Sequence, residues 1–426
     1  MYPFQVAILL FLSCTLYAAA GEVVQEPDCE PTHSEKTMLT AEQLAPITTA
    51  MQRLVDRQAI PGALAMVSHR GEIVYFDSVG YQNIEDDVPV RKDAIFRVYS
   101  MTKPITAVAT LILIERGQLS LDDPLDEFDD RFADLQVHVS GFGRRAKTEP
   151  ARQQITIRHL LAHTAGFTYG AFGITEVDRL YRVNRIGKRC DSLENNCERL
   201  SKLPLSHHPG EKFRYSVASD VLGHVIERVS GMTLCEFFEK EIFQPLGMVD
   251  TGFQLDPEKV DRLAANYGPR LLEKGLGRLD DPKQSKYLKP PKMLSGGGGL
   301  VSTATDYMKF CQMLLANGRY SGGYLIKPET VALMTRNHVP ESTLPISIGM
   351  PFDGVGFGFG VSVRYERVHY AKHIPEGEFG WSGIASTSFA ISPKHDLAVI
   401  TMTQYMPYTS VLSDRVKKVV YKALGE

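Results

Sequence analysis

The sequence holds few of the residues that mark a disulfide scaffold, a metalloprotein or a membrane protein. Six cysteines occur in 426 residues, too few for a disulfide framework. No two of them form a Cys-x-x-Cys pair, which argues against a zinc ribbon and against thiol redox chemistry. Beyond the N-terminus, no apolar run approaches the ~20 residues that a helix needs to cross a bilayer. We therefore expect a globular chain with a large core and two lobes.

Neither sign of charge is in excess. The formal net charge is -3, which implies no surface for binding a polyanion. Two basic clusters, at residues 144–147 and 182–189, lie in polar surroundings that contain glycine. We interpret them as solvated loop or helix faces. The expected partner is a small molecule, and no nucleic acid is expected.

Several motifs with well-known chemistry are also absent. The hydrolase elbow Gly-x-Ser-x-Gly does not occur, and the segment from Gly380 to Gly383 has the wrong spacing. The glycine-rich run at residues 295–300 lacks the Lys-Ser/Thr of a phosphate loop, so we predict a close backbone turn. His159 and His163 have the spacing of two metal ligands, but no Glu follows the first and no third ligand is indicated. A packing or capping role is predicted, with no metal.

The N-terminus resembles an export signal. An apolar run from about residue 4 to residue 17 precedes three alanines, which suits signal peptidase. We predict a signal peptide at residues 1–20, a leader at 21–40, and an exported protein, secreted or periplasmic. A lipoprotein anchor at Cys14 is an alternative that matches less well. In an exported chain, Cys190 and Cys197 could form a disulfide across a short polar loop.

The hydrophobic pattern predicts an α+β fold. A helix fits residues 41–58, and two strand-like runs flank Arg70-Gly71 as in a hairpin. Strand-like alternation returns near the C-terminus, before a final helix at about 410–424. We predict an antiparallel sheet flanked by helices and built from both ends of the chain, in a lobe of about residues 41–97 and 345–426. A mainly helical lobe of about residues 98–344 is inserted, and polar loops near 138–154, 170–206 and 266–292 are expected to rim the cleft.

The candidate chemistry begins with Ser100 and Lys103. These residues stand three apart where an apolar helix begins, so their side chains share one face. The positive end of the helix dipole and the ammonium both favour an alkoxide on the serine. If burial lowers the pKa of Lys103, the amine can accept the seryl proton near neutral pH. The competing interpretation is a helix-capping serine beside a surface lysine.

Four segments together resemble the serine β-lactamase-like superfamily. They are FRVYSMTKPITA, ITIRHLLAHTAGF, HHPGEKFRYSVASDVLGHVIERVSG and SGGGGLVSTATDYMKF, in the order that the superfamily has them. The similarity extends over about residues 40–424, and the chain looks most like family VIII carboxylesterases and related acyltransferases. The resemblance implies Ser100 as the nucleophile, Lys103 as its base and Tyr215 as a second acid/base group.

The resemblance also implies a substrate site along a C-terminal strand. Trp381, Ser382 and Gly383 stand where β-lactamases carry Lys-Thr-Gly or His-Thr-Gly, and the backbone N–H groups of Ser100 and Ile384 correspond to the oxyanion hole. Val217 replaces the asparagine of the Tyr-x-Asn motif.

Loss of the charged residue and of the amide favours esters over β-lactams. The expected reaction is hydrolysis of a small-molecule ester, or acyl transfer, through an acyl-enzyme and without a cofactor. Alternatives are a β-lactamase or D-amino-acid peptidase, which would act on amides, and a catalytically silent binding protein.

Overall fold

The computed structural model of the chain describes residues 38–188, 191–270 and 274–426. The predicted signal peptide with Cys14, most of the predicted leader and Cys190 lie outside these residues. Export and lipoprotein anchoring therefore stay predictions. Cys197, the described half of the possible disulfide, is a free and buried thiol. Within the described ranges, no helix has the length and hydrophobicity needed to cross a bilayer.

One antiparallel sheet organises the described chain. The described strands are β1 (Gly62–His69), β2 (Glu72–Asn83), β3 (Val88–Pro89), β4 (Phe96–Arg97), β5 (Gln136–Ser140), β6 (Lys147–Pro150), β7 (Asn266–Pro269), β8 (Leu276–Asp280), β9 (Val301–Ser302), β10 (Arg319–Tyr320), β11 (Gly323–Tyr324), β12 (Ser347–Ile348), β13 (Met350–Pro351), β14 (Val355–Phe357), β15 (Ser362–Arg364), β16 (Phe379–Ser382), β17 (Ser388–Ser392) and β18 (Leu397–Met402). Eight of them form the main sheet, in the order β14-β15-β16-β17-β18-β1-β2-β3. The strands of this sheet come from both ends of the chain, as the sequence predicted.

Helices cover both faces of the sheet. They are α1 (Ala41–Leu44), α2 (Pro46–Asp56), α3 (Thr102–Glu115), α4 (Ile157–Leu161), α5 (Glu176–Val183), α6 (Leu193–Ser201), α7 (Ala218–Ser230), α8 (Leu234–Phe238), α9 (Gln244–Leu246), α10 (Ala304–Leu315), α11 (Pro328–Met334) and α12 (Val411–Ala423). Helices α2 and α12 pack on one face, and α10 packs on the other.

The alternation of side chains along β1 explains this two-sided arrangement. Leu64 and Met66 belong to the core shared with the inserted helices, whereas Ala65 and Val67 belong to the core under α2 and α12. Successive side chains of a strand point to opposite faces, so a strand buried on both faces is apolar throughout. β1 is buried along its whole length.

The sequence placed the elements well but missed structure inside the polar segments. The predicted helix at 41–58 is two helices, because Pro46 begins a second one after Ala45. The predicted loop at 138–154 contains the β5–β6 hairpin, and that at 266–292 contains the β7–β8 hairpin. The segment 170–206 holds α5 and α6. Both helices begin at side-chain caps, which local polar residues supply.

Candidate active site

Ser100 lies in a tight turn that immediately precedes the buried helix α3. A 3-10 turn spans Tyr99–Met101, and α3 begins at the next residue. Tyr99 has a φ of 43°, a left-handed conformation that is rare for a residue with a side chain. Backbone strain of this kind clusters at functional sites, where the surrounding fold holds it in place. The Ser100 side chain is half-buried and does not cap α3, in contrast to the capping interpretation.

Lys103 is almost completely buried, with 1% of its surface exposed. Its ammonium donates hydrogen bonds to the carbonyl of Gly297 at 2.6 Å, to the hydroxyl of Tyr169 at 2.9 Å and to Ser100 Oγ at 3.4 Å. An ammonium has three N–H donors, and three acceptors surround this one. No carboxylate among the described residues lies within ion-pair distance of it. The buried charge is held by a carbonyl dipole and hydroxyl groups alone.

The surroundings of Lys103 shift its pKa in two directions. Burial by itself lowers the pKa of the ammonium, but the phenol oxygens of Tyr169 and Tyr215 raise it by more, and the net pKa lies above the usual value. Burial also raises the pKa of Tyr169, against the attraction of the Lys103 charge. The condition set from the sequence, a Lys103 pKa lowered by burial, is therefore not met by the net shift, which favours the protonated amine.

Tyr215 lies beside the ammonium, although it is 112 positions away in the sequence. Lys103 Nζ is 4.7 Å from the centroid of the Tyr215 ring and also interacts with its hydroxyl. Trp381 donates a hydrogen bond from Nε1 to the Tyr215 hydroxyl at 3.2 Å, and the two rings are 5.4 Å apart. Tyr169 packs 5.3 Å from Tyr215 on another side. Ser100, Lys103, Tyr169 and Tyr215 thus form one group, the Ser100 cluster.

The glycine-rich run 295–300 is a close backbone turn, as predicted, and its Gly297 carbonyl contacts the Ser100 cluster. A Cβ on Gly296 would lie 2.4 Å from the Ser219 carbonyl oxygen, so only glycine fits between α3 and α7 here. The carboxylate of Asp220 accepts hydrogen bonds from Ser295 Oγ at 2.6 Å and from the Gly297 N–H at 2.9 Å. Asp220 therefore fixes the turn whose carbonyl receives the Lys103 ammonium.

The end of β16 lies directly against the Ser100 turn. A Cβ on Gly383 would lie 2.5 Å from the carbonyl oxygen of Val98, so glycine permits this close backbone contact. Within the described residues, the backbone N–H groups of Ser100 and Ile384 have no hydrogen-bond acceptor in the protein. Free donors on adjoining segments are what an oxyanion hole requires. Ser382 is half-buried and bonds to Ser388 Oγ at 3.1 Å.

Val217 takes a different place from the other predicted residues. It immediately precedes α7, and its side chain is completely buried in the core shared by α3 and α7. Trp381, by contrast, is half-buried and contacts the cluster directly. The structure therefore does not bring Val217 to an exposed surface, and its contact with substrate stays a prediction.

The two histidines with metal-like spacing do separate tasks. His159 accepts the N–H of Thr156 at 3.1 Å in a capping box at the start of α4, as the sequence predicted. His163 is buried against Tyr215, with ring centroids 5.1 Å apart, and its Nδ1 contacts Ser216 Oγ at 3.1 Å. Burial, and then the Lys103 charge, hold the pKa of His163 well below its usual value. His163 is a neutral packing partner of Tyr215.

Tyr169 and Asp220 are the site residues that sequence reasoning missed. Tyr169 follows the His-Thr-Ala-Gly-Phe segment with no spacing that indicates a role. Asp220 sits on the buried face of α7, and a buried acid in an amphipathic helix is a signal that could have been followed. Its partners in the glycine-rich turn are 75 and 77 positions away.

Comparison with known proteins identifies the family of this chain. The family model described as Beta-lactamase matches residues 47–420. Esterase EstB of Burkholderia gladioli is 33% identical over 396 residues, which cover 87% of this chain and 93% of EstB. Monacolin J acid methylbutanoyltransferase of Aspergillus terreus is 26% identical over 391 residues, which cover 86% of this chain and 92% of that protein.

A solved structure extends the similarity to three dimensions. EstCE1, described as a hydrolase with promiscuous acyltransferase activity, superimposes with a TM-score of 0.76 at 27% identity. The match covers 89% of this chain and 99% of EstCE1. This chain therefore shares its fold with EstCE1.

Proposed function

Because this chain belongs to the beta-lactamase family and has an esterase and an acyltransferase among its relatives, we propose that it cleaves carboxylic esters through an acyl-enzyme on Ser100. Lys103 and Tyr215 move the seryl proton, and the N–H groups of Ser100 and Ile384 bind the oxyanion. The observation that carries the proposal is the position of the buried Lys103 ammonium between Ser100 Oγ, at 3.4 Å, and the phenols. That arrangement joins a half-exposed hydroxyl to acid/base groups inside the protein.

Close contacts inside the Ser100 cluster decide how the proton moves. Groups that interact this strongly titrate as a unit, so the active form is the cluster that has lost one proton. As Ser100 attacks the ester carbonyl, the pair of Lys103 and Tyr215 takes up the seryl proton. Lys103 Nζ is the atom in contact with Ser100 Oγ, so the proton enters the pair there.

Collapse of the tetrahedral intermediate reverses this relay. Tyr215 returns a proton through Lys103 to the departing alkoxide, the C–O bond breaks, and the acyl group remains on Ser100. Water then attacks the acyl-enzyme for hydrolysis, or a second alcohol attacks it for acyl transfer. Each oxyanion-hole donor is worth ~3 kcal/mol in such reactions, and it acts at the moment when charge develops.

Trp381 favours esters with apolar groups over β-lactams. Its Nε1 is already engaged with the Tyr215 hydroxyl, and its ring contacts Tyr215 and Phe357. It presents flat apolar surface and no cation for a substrate carboxylate. β-Lactamase or D-amino-acid peptidase activity remains the second candidate, favoured by the family model alone.

Mass spectrometry after brief reaction with p-nitrophenyl acetate tests the nucleophile. We expect one acetyl group on the peptide that contains Ser100 and none in the Ser100→Ala variant. Ser382→Ala is the matched control, because it removes the other half-buried hydroxyl near the turn and should leave the adduct in place. Acetylation of Ser382 in place of Ser100 would overturn the assignment.

Side-by-side turnover of p-nitrophenyl acetate and nitrocefin tests the substrate class. We expect kcat/KM for the ester to exceed that for the β-lactam, because Trp381 supplies no charged partner. A preference for nitrocefin by orders of magnitude would favour the second candidate and would leave the role of Ser100 unaffected.

A further inference from the structure

A surface beside the Ser100 cluster combines exposed apolar side chains with cations, and ester cleavage does not explain it. It is formed by the tip of the β5–β6 hairpin and by the loop before α5. We call it the entrance surface and define it by these residues: Phe142, Arg144, Arg145, Lys147, Phe172 and Ile174.

Contacts with α5 join the two parts of the entrance surface. The Gly143 N–H donates to the Glu176 carboxylate at the start of α5. The Arg179 guanidinium, one turn further, lies 5.6 Å from the centroid of the Phe142 ring. On the other side, Phe172 packs 6.0 Å from the Tyr215 ring. The surface therefore runs from the hairpin tip to the edge of the Ser100 cluster.

The apolar members of the surface are held out into solvent. Phe142 is 57% exposed, Phe172 46% and Ile174 90%. Gly141, with a φ of 82°, closes a turn so tight that a Cβ there would lie 2.0 Å from the Arg145 carbonyl oxygen. The fold thus fixes the turn that presents Phe142. Grouped exposed apolar side chains of this size usually mark a binding surface.

The cations of the entrance surface form no salt bridge with a carboxylate in the part of the chain that the structure describes. Arg144, Arg145 and Lys147 are exposed, and no carboxylate of the described ranges pairs with any of them. The whole protein has a net charge of -3, so this surface is positive although the protein as a whole is slightly negative. An anionic binding partner is the complement of such a surface.

We propose that the entrance surface binds an anionic lipid surface. Phe142, Phe172 and Ile174 enter the headgroup region, while the three cations contact lipid phosphates. The apolar side chains project from exposed loops, which suits insertion into a fluid interface. Binding of this kind needs no catalysis, so the proposal is independent of the role of Ser100.

Co-sedimentation with lipid vesicles tests the proposal. We expect the protein to bind phosphatidylcholine vesicles that contain phosphatidylglycerol, to bind pure phosphatidylcholine weakly, and to release as salt screens the charges. The double variant Arg144→Gln/Arg145→Gln should weaken binding about 25-fold, since each cation near an anionic surface contributes about fivefold. Phe142→Ser should also weaken it, by removing the side chain that inserts.

Matched controls separate this surface from the rest of the molecule. Arg53→Gln/Arg57→Gln removes two exposed arginines at α2, on the other face of the sheet, and Tyr324→Ser removes an aromatic residue that is 59% exposed on the β10–β11 hairpin. Both should bind like the unmodified protein, as should Ser100→Ala. The proposal is wrong if the unmodified protein does not bind anionic vesicles, or if the variants of the entrance surface bind them as well as the control variants do.

Discussion

Two of the buried polar clusters in the described part of the chain hold charge in different ways, and the difference favours one of them as a catalytic site. The Asp129 cluster joins Asp129 to Arg131 at 2.5 Å and to His224 at 3.0 Å, and Glu194 to Arg131 at 2.8 Å. In that cluster, each charge has an opposite charge beside it. In the Ser100 cluster, the buried ammonium has only hydroxyl and carbonyl partners. One arrangement neutralises its charges, and the other leaves a charge available to a reacting group.

Perturbed pKa values alone do not tell these clusters apart. Burial raises the pKa of Asp129, but the hydrogen bonds and charge of Arg131 outweigh it, so the net pKa is lowered. The pKa of Lys103 is displaced as well, yet no acid neutralises it. Structural ion pairs perturb titration as strongly as active sites do. The half-exposed Ser100 and the strained Tyr99 backbone are what distinguish the second cluster.

The largest expected effect is that of Ser100→Ala. Loss of the nucleophile should reduce kcat/KM for p-nitrophenyl acetate by about 10⁴-fold or more, while thermal unfolding stays unchanged because the side chain is half-buried and caps no helix. Steady-state kinetics and calorimetry measure the two effects. Substantial turnover by the purified Ser100→Ala variant would contradict the assignment of the Ser100 cluster as the catalytic one.

Lys103→Met should have the second largest effect, a loss of about 10³-fold in kcat/KM. Methionine fills a similar volume without the ammonium, so the relay between Ser100 and Tyr215 is broken while α3 stays packed. Circular dichroism checks the fold, and kinetics with saturating ester show whether kcat is the parameter that falls. If activity survives in the folded variant, the proton does not pass through Lys103.

Asp129→Asn should show the opposite pattern, with a loss of stability and retained chemistry. The change leaves Arg131 and His224 without the buried carboxylate, and we expect a cost of about 2 kcal/mol because Arg131 is partly exposed. Urea unfolding measures this cost. Activity per folded molecule should match the unmodified protein. A fall in kcat/KM as large as that of Lys103→Met would show that the two clusters are coupled.

His163 should produce the smallest effect, visible only in acid. Burial and then the Lys103 charge hold the pKa of His163 well below the usual value. In acid, the unfolded chain therefore binds a proton at this histidine and the folded protein does not. Stability should therefore be unaffected above pH about 6.5 and fall by up to about 1.4 kcal/mol per pH unit below it. Urea unfolding of His163→Asn should show a shallower decline than the unmodified protein.

His224→Asn provides the matched comparison. Burial lowers the pKa of His224 too, but Glu194 and Asp129 oppose the shift, so removing this histidine should change the acid slope less. Equal slopes for His163→Asn and the unmodified protein would contradict a neutral His163 in the folded state.

Much of the site could be predicted from short-range patterns. Three features depend only on residues near one another in the chain. They are the Ser100–Lys103 spacing, the hairpin at Arg70-Gly71 and the tight backbone turn at residues 295–300. The helices inside residues 170–206 were missed because their polar faces resemble loops, although Thr175 and Ser192 cap them. The complete burial of Val217 could not be predicted either, because packing against neighbouring helices is not visible from a motif.

Spacing along the chain was enough to predict that a hydroxyl and an amine lie together at the start of an apolar helix, since helical geometry depends only on that spacing. The surroundings of the amine depend on the fold. Tyr169 and the Gly297 carbonyl reach Lys103 from 66 and 194 positions away. The pKa of Lys103 depends on burial and on the phenols of Tyr169 and Tyr215, which come close to it only in the folded protein, so no local pattern contains this information.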